Sequence, residues 1–192
     1  MAKIIPWPGV LILIFFMGTA AVAAENSPPK VGTSLPEMEL MRPGNSVDLK
    51  YLGLSSGGKT FKLNQIKARV AIIQIYSMYC PYCQAEAPNV NRLYGLIENN
   101  PVIKDKIKII GIGAGNTSFE VGTYKRKYTV AFPLIPDEDY KIHKILGEVR
   151  TPYFIAVKIA AGGSSEVIYS RLGALENIDI FLAQIVKSAG LK

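Results

Sequence analysis

The chain has 192 residues, 49% of them apolar and 19% charged, with a formal charge of +7. This points to one domain, or one domain plus a processed segment, with ample apolar mass for a core. The basic residues are scattered: Lys104, Lys106 and Lys108 alternate with apolar neighbours, and Lys125, Arg126 and Lys127 make one short run. That pattern argues for a solvated basic face and against nucleic-acid binding.

The N-terminus reads as a targeting segment. Lys3 precedes the uncharged run GVLILIFF at 9–16, and small residues follow, with Val22 and Ala24 placed for a cut before Glu25. The apolar run is short for a spanning helix, so residues 1–24 are expected to be a cleaved signal peptide, with an uncleaved anchor over residues 9–24 as the alternative. Either way, residues 25–192 are expected to form one domain working in the periplasm or otherwise outside the cytoplasm. Residues 25–36 (ENSPPKVGTSLP) are rich in Pro and Ser and read as a flexible lead-in.

Residues 47–63 read as two short strands joined by the Ser-Ser-Gly-Gly turn, an N-terminal β-hairpin extension. The β-branched run at 69–76 (RVAIIQIY) has the signature of a strand buried on both faces. Ala85, Val90, Leu93, Leu96 and Ile97 then follow helical spacing over 81–98, with Pro88 set to kink the helix. A second buried strand follows at 107–113. A helix at 117–128 has Thr117 or Ser118 as cap and Glu120 in its first turn. A short strand is expected at 130–135, broken by Pro133, and a helix at 137–146, ended by Gly147. Residues 153–159 and 166–172 make an antiparallel hairpin, and the last helix spans about 176–188. Alternating strands and helices closed by a hairpin predict an α/β fold: one central mixed β-sheet flanked by helices on both faces.

Both cysteines of the chain lie in YSMYCPYCQAEAP, residues 76–88. A disulfide that closes so short a loop stabilises little. At the junction of buried strand and helix, Cys80 meets the unpaired N–H groups and positive end of the helix, which favour a thiolate. Its pKa should therefore fall below the free value of about 8.5. Cys83, one turn later, is then the resolving thiol of a redox-active Cys80–Cys83 pair, and Pro81 costs little at a first-turn position. Zinc would need four ligands, and this chain offers two thiols and a single histidine, His143. Covalent haem would need a histidine where Gln84 stands. Copper(I) held by two thiolates remains as a carrier alternative. A peroxidase reading puts Ser77 three residues before the first cysteine, but the CxxC pattern does not suit it. No metal or other cofactor beyond the dithiol itself is expected.

The segment resembles the active site of the thioredoxin superfamily, and more narrowly that of the exported TlpA/ResA-type thiol-disulfide oxidoreductases. Tyr79, Cys80, Cys83, Glu86 and Pro88 fill that type's aromatic-Cys-x-x-Cys-x-x-Glu-x-Pro run, with Tyr79 in place of the usual Trp. The GTSLPEMEL stretch at 32–40 also resembles the type's N-terminal strand region. The resemblance implies a thioredoxin-like fold over about residues 31–188. It also implies a cis-proline opposite the dithiol, at Thr151-Pro152, leaving the Thr151 backbone free for an incoming peptide and shielding the thiols from metal. It implies that Glu86 is partly buried and passes a proton to or from Cys83, since Gln74, at the position of thioredoxin's buried acid, cannot titrate. Tyr79 and Tyr82 are expected to form an apolar lip for a partner. His143 is expected to be structural.

The Pro-Tyr dipeptide between the cysteines suggests a couple less reducing than thioredoxin, at about −180 to −250 mV. The resemblance favours a monomeric reductant of selected exported protein disulfides, apocytochrome c being the typical client, with a membrane thiol carrier as electron donor. A disulfide-forming oxidant is the alternative.

Overall fold

The computed structural model describes Met1, residues 27–160 and residues 165–191. The expected leader and its cut lie outside the described residues, as does most of the turn between the last two strands. Among the described residues, no helix is long and apolar enough to cross a membrane.

A first short strand, β1 (Leu40–Met41), leads to helix α1 (Ser46–Leu52) and strand β2 (Thr60–Phe61). The strands pair antiparallel, Leu40 opposite Phe61, so the N-terminal two-stranded unit is present. Residues 47–52, expected within the first strand of a hairpin at 47–63, are helical instead. The Asn45 side chain accepts from the Asp48 N–H at 2.8 Å, and Gly53, at φ 66°, ends the helix in the left-handed conformation. These caps at both ends override the alternation of Val47, Leu49 and Tyr51 that mimics a strand.

The main sheet begins with β3 (Val70–Tyr76), whose seven residues are all buried. Next come α2 (Pro81–Glu98), β4 (Ile107–Ala114), α3 (Ser118–Lys127) and β5 (Leu134–Asp137). The chain ends with α4 (Lys141–Ile145), β6 (Tyr153–Ile159), β7 (Ser165–Leu172) and α5 (Ile178–Ser188). The strand order is β5-β4-β3-β6-β7. β3, β4 and β5 run parallel, while β6 and β7 add antiparallel pairings. Two of the expected boundaries move. β5 starts after Pro133 and places Pro136, which has no N–H, on the outermost strand. Asp137 ends that strand, and its carboxylate caps the Ile142 and His143 N–H groups at 3.0 and 2.8 Å, which shortens the expected helix to α4.

Alternation along β3 divides the core in two. Val70, Ile72 and Tyr76 pack with Val90, Leu93 and Ile97 of α2, Val121 and Tyr124 of α3, and Phe181 and Ile185 of α5. Ala71, Ile73 and Ile75 face the other way, toward Leu40, Leu52, Phe61, Ile142 and Leu146. The same alternation puts Gln74 on the α2 face, fully buried. Gly111 of β4 leaves room here, because a Cβ would fall 2.4 Å from the Leu134 side chain. At the sheet's margins, residues 32–35 hydrogen-bond along β7, with Gly32 N–H to Val167 C=O at 2.8 Å and Leu35 N–H to Ser165 C=O at 2.7 Å. Tyr51 of α1 accepts the Ile109 N–H of β4 at 2.8 Å, below the stretch that β5 covers.

Candidate active site

β3 delivers the chain to one end of the sheet, and α2 starts there. Cys80 is the N-cap of α2 and has extended backbone. Its N–H donates to the Ser77 carbonyl at 3.1 Å, and its sulfur accepts from the Cys83 N–H at 3.4 Å. The thiol therefore occupies the place where Ser or Asp would cap a helix. Pro81 fills the first helical position, where its missing N–H costs nothing. Both cysteines are free thiols, Cys80 partly exposed and Cys83 buried.

Opposite them, the Thr151-Pro152 peptide bond is cis. The Cys80 thiol lies 3.4 Å from the Thr151 carbonyl, to which it donates. The electrostatics separate the pair. Partial burial opposes ionisation of Cys80, but hydrogen bonds from the Thr151 side chain, the Cys83 thiol and the Cys83 and Tyr82 backbone outweigh it, and its pKa is lowered. Burial, reinforced by the hydrogen bond with Cys80, pushes Cys83 up to about 12. One thiol is poised to ionise, and its neighbour is held protonated beneath it.

Glu86 is buried at 2% exposure, deeper than the sequence suggested. Its two carboxylate oxygens accept from the Leu175 N–H at 2.8 Å and from the Asn89 side chain at 3.0 Å. It thus ties the β7–α5 loop to α2 as well as sitting one turn beyond Cys83. Tyr79 and Tyr82 are strongly exposed, at 66% and 77%. Tyr82, Glu86, Arg150, Thr151, Pro152 and Leu172 line an open groove of about 610 Å³ beside the dithiol. Tyr79 lies outside that lining and donates its hydroxyl to Glu120 of α3. The structure thus brings Cys80, Cys83, Glu86, Tyr82, Thr151 and Pro152 together and turns Tyr79 toward α3.

Four further residues escape the sequence reading. Tyr124 donates its hydroxyl to the Cys83 carbonyl at 2.8 Å. The backbone of Leu175 anchors Glu86, and the side chains of Asn116 and Gln84 hold Met78. Only Gln84 is close enough in sequence to have been suspected. His143 makes none of the dithiol's hydrogen bonds described above; its ring Nε2 lies 2.8 Å from the Val149 carbonyl. Among the described residues, no three His, Cys, Asp or Glu side chains gather into a metal-binding group.

Residues 31–164 match the AhpC/TSA family. The chain belongs to that family. It is 24% identical over 116 residues to the thiol-disulfide oxidoreductase ResA of Halalkalibacterium halodurans, covering 57% of this chain and 63% of that protein. It is 28% identical over 96 residues to the ResA of Bacillus thuringiensis, covering 50% of this chain and 52% of the relative. The chain thus spans little more than half the length of these curated relatives. A longer match, to the ResA of Oceanobacillus iheyensis, covers 84% of this chain and 76% of that protein at 22% identity. Among solved structures, StoA from Bacillus subtilis aligns with a TM-score of 0.54 at 15% identity, covering 81% of this chain and 98% of that one. A secreted disulfide oxidoreductase from Mycobacterium tuberculosis also aligns at 0.54, with 17% identity, covering 78% and 95%. At these identities the structures speak for the fold alone, and it is thioredoxin-like.

Proposed function

We propose that this AhpC/TSA-family chain is an extracytoplasmic thiol-disulfide oxidoreductase that reduces selected protein disulfides. The observation that carries the reading is the pairing of an ionisable Cys80 at the N-cap of α2 with a buried, protonated Cys83 beneath it. The curated relatives, named as thiol-disulfide oxidoreductases, support the same chemistry.

In the reductive direction, the Cys80 thiolate attacks one sulfur of a client disulfide. The client S–S bond breaks as a Cys80–client bond forms, and the departing client thiolate takes a proton. Cys83 then gives up its proton, and its thiolate attacks the Cys80 sulfur. The intermolecular bond breaks, the second client thiolate leaves, and a Cys80–Cys83 disulfide remains. Two electrons pass to the client with two protons, the one Cys80 released to solvent on ionising and the one Cys83 gave to Glu86, which the second client thiolate takes up; a membrane dithiol carrier must return them. Glu86 receives the Cys83 proton in this scheme; its burial three residues further along the same helix face supports the role. The groove beside the cis peptide receives the client backbone, with Tyr82 in its lining and Tyr79 outside it, bonded to Glu120.

Apocytochrome c before haem attachment is the client class that the likeness to ResA suggests, and the leader-like N-terminus supports a site of action outside the cytoplasm. The test is a trap. Cys83→Ser, expressed in the native host, is expected to accumulate a reductant-sensitive adduct through Cys80. If no adduct forms, or if one persists when Cys80 is also replaced, the reading fails.

A further inference from the structure

The segment Ser77–Tyr79 joins the end of β3 to the start of α2, so its conformation decides where the Cys80 sulfur stands relative to the helix N-terminus. Both polar groups of the Met78 backbone are held by carboxamide side chains. The Met78 N–H donates to Asn116 Oδ1 at 2.8 Å, and the Met78 carbonyl accepts from Gln84 Nε2 at 2.8 Å. The two restraints come from opposite sides: Asn116 follows β4 in the β4–α3 turn, and Gln84 belongs to the first turns of α2. The next residue, Tyr79, is held by the first turn of α3 just beyond that β4–α3 turn, through its hydroxyl and Glu120. Glu120 is itself fixed by the Thr117 N–H at 2.7 Å and hydroxyl at 2.9 Å.

Asn116 is a costly residue to bury. It is wholly inaccessible, and its Nδ2 lies buried without a hydrogen-bond partner. An apolar side chain would avoid that orphan donor, so the acceptor Oδ1 is what the site uses. Room for it comes from Gly113, where a Cβ would approach the Asn116 Cβ to 3.1 Å, and its own N–H is tied to the Gly113 carbonyl at 3.0 Å. The side chain is locked to a rigid strand end and presents one oxygen to the loop that carries the nucleophile.

We propose that Asn116 is a positioning residue of the dithiol: acting through Met78, and jointly with Gln84, it fixes Cys80 at the first turn of α2 and so sets how readily that thiol ionises. The inference deepens the reading of Cys80 as the attacking thiol and rests on it. The hydrogen bonds that favour the thiolate, from the Cys83 and Tyr82 backbone and the Thr151 side chain, act only if the sulfur stays within reach of them. Loosening Met78 lets the sulfur move away from these donors.

The experiment follows alkylation of Cys80 by iodoacetamide against pH, with the modified residue identified by mass spectrometry. Asn116→Leu removes the acceptor, and Gln84→Met removes the donor on the other side at a half-buried, more tolerant position. Each is expected to lower the thiolate fraction of Cys80 about three- to tenfold at a pH below its native titration. Val121→Ala, a buried change on α3 that leaves Met78 untouched, is expected to lose stability while the titration stays where it was. Should Asn116→Leu not fold, Gln84→Met decides alone. A folded Asn116→Leu or Gln84→Met protein whose Cys80 titrates as in the parent overturns the proposal, as does an equal shift in Val121→Ala. These outcomes are independent of any client, so they are separable from a failure of the Cys83→Ser trap.

Discussion

Replacing Thr151 by Val tests the electrostatic account of Cys80 most directly. Valine keeps the β-branched shape beside the cis peptide but removes the hydroxyl. Burial raises the Cys80 pKa, and the Thr151 side chain is the foremost of the hydrogen bonds that lower it. A hydrogen bond to a charged group is worth about 1.5–3 kcal/mol. Sulfur is a weak acceptor and Cys80 is partly exposed, so about 1 kcal/mol is the appropriate figure here. At 1.36 kcal/mol per pH unit, that moves the Cys80 pKa up by about 0.7. Below the pKa, the thiolate fraction then falls about fivefold. The more basic thiolate is also the better nucleophile, with a Brønsted coefficient of about 0.4–0.5, which returns nearly half the loss on a logarithmic scale. Attack on a model disulfide should therefore slow about two- to threefold. Ultraviolet absorbance of the thiolate gives the titration, and stopped-flow reduction of a small aromatic disulfide gives the rate. A Thr151→Val protein with native near-UV dichroism and an unmoved or lowered Cys80 titration would refute the reasoning.

Glu86 separates structural from chemical roles. Glu86→Ala strands the Leu175 N–H and should cost about 2–3 kcal/mol in urea unfolding, whereas Glu86→Gln keeps an acceptor and should cost under about 1 kcal/mol while slowing thiol exchange at neutral pH. Equal losses of stability would remove the Leu175 contact as the explanation. Alkaline pH gives a further test. Cys83 is raised from 9.0 to about 12, so between those values the folded protein keeps a proton that the unfolded chain gives up. The stability due to Cys83 is complete below pH 9 and is lost as pH rises toward 12. Reduced protein should lose stability across that window, and Cys83→Ala should lose less; matching slopes in guanidine titrations of the two would count against the buried, protonated thiol.

The local parts of the site were legible in the sequence, the family resemblance supplied the distant Thr151-Pro152, and the other distant parts were opaque. Cys80 and Cys83 share the first helical turn, so residue type and spacing placed them, and the family resemblance added Glu86 one turn further on the same helix. The buried strands at Val70–Tyr76 and Ile107–Ala114 announced themselves through runs rich in β-branched residues. α1 was misread because Val47, Leu49 and Tyr51 alternate like a strand, and the deciding signals, Asn45 and Gly53, lie outside the run. Asn116 and Leu175 reach the site from 38 and 89 residues away along the chain. No local pattern marks either: Asn116 reads as an ordinary turn asparagine, and Leu175 contributes only its backbone.

The margins of the sheet carry a consequence for self-association. An outer strand with free N–H and C=O groups is a template for another chain. On one flank, the segment at 32–35 already occupies β7 as a partial extra strand. On the other flank, Pro136 withholds a donor from β5, and Tyr51 consumes the Ile109 N–H where β5 stops short. Both flanks are thus blunted over part of their length, which shortens the edge a second copy could pair with. Under the proposed reading, the end of the sheet that bears the dithiol, away from these margins, is the part left open to a client.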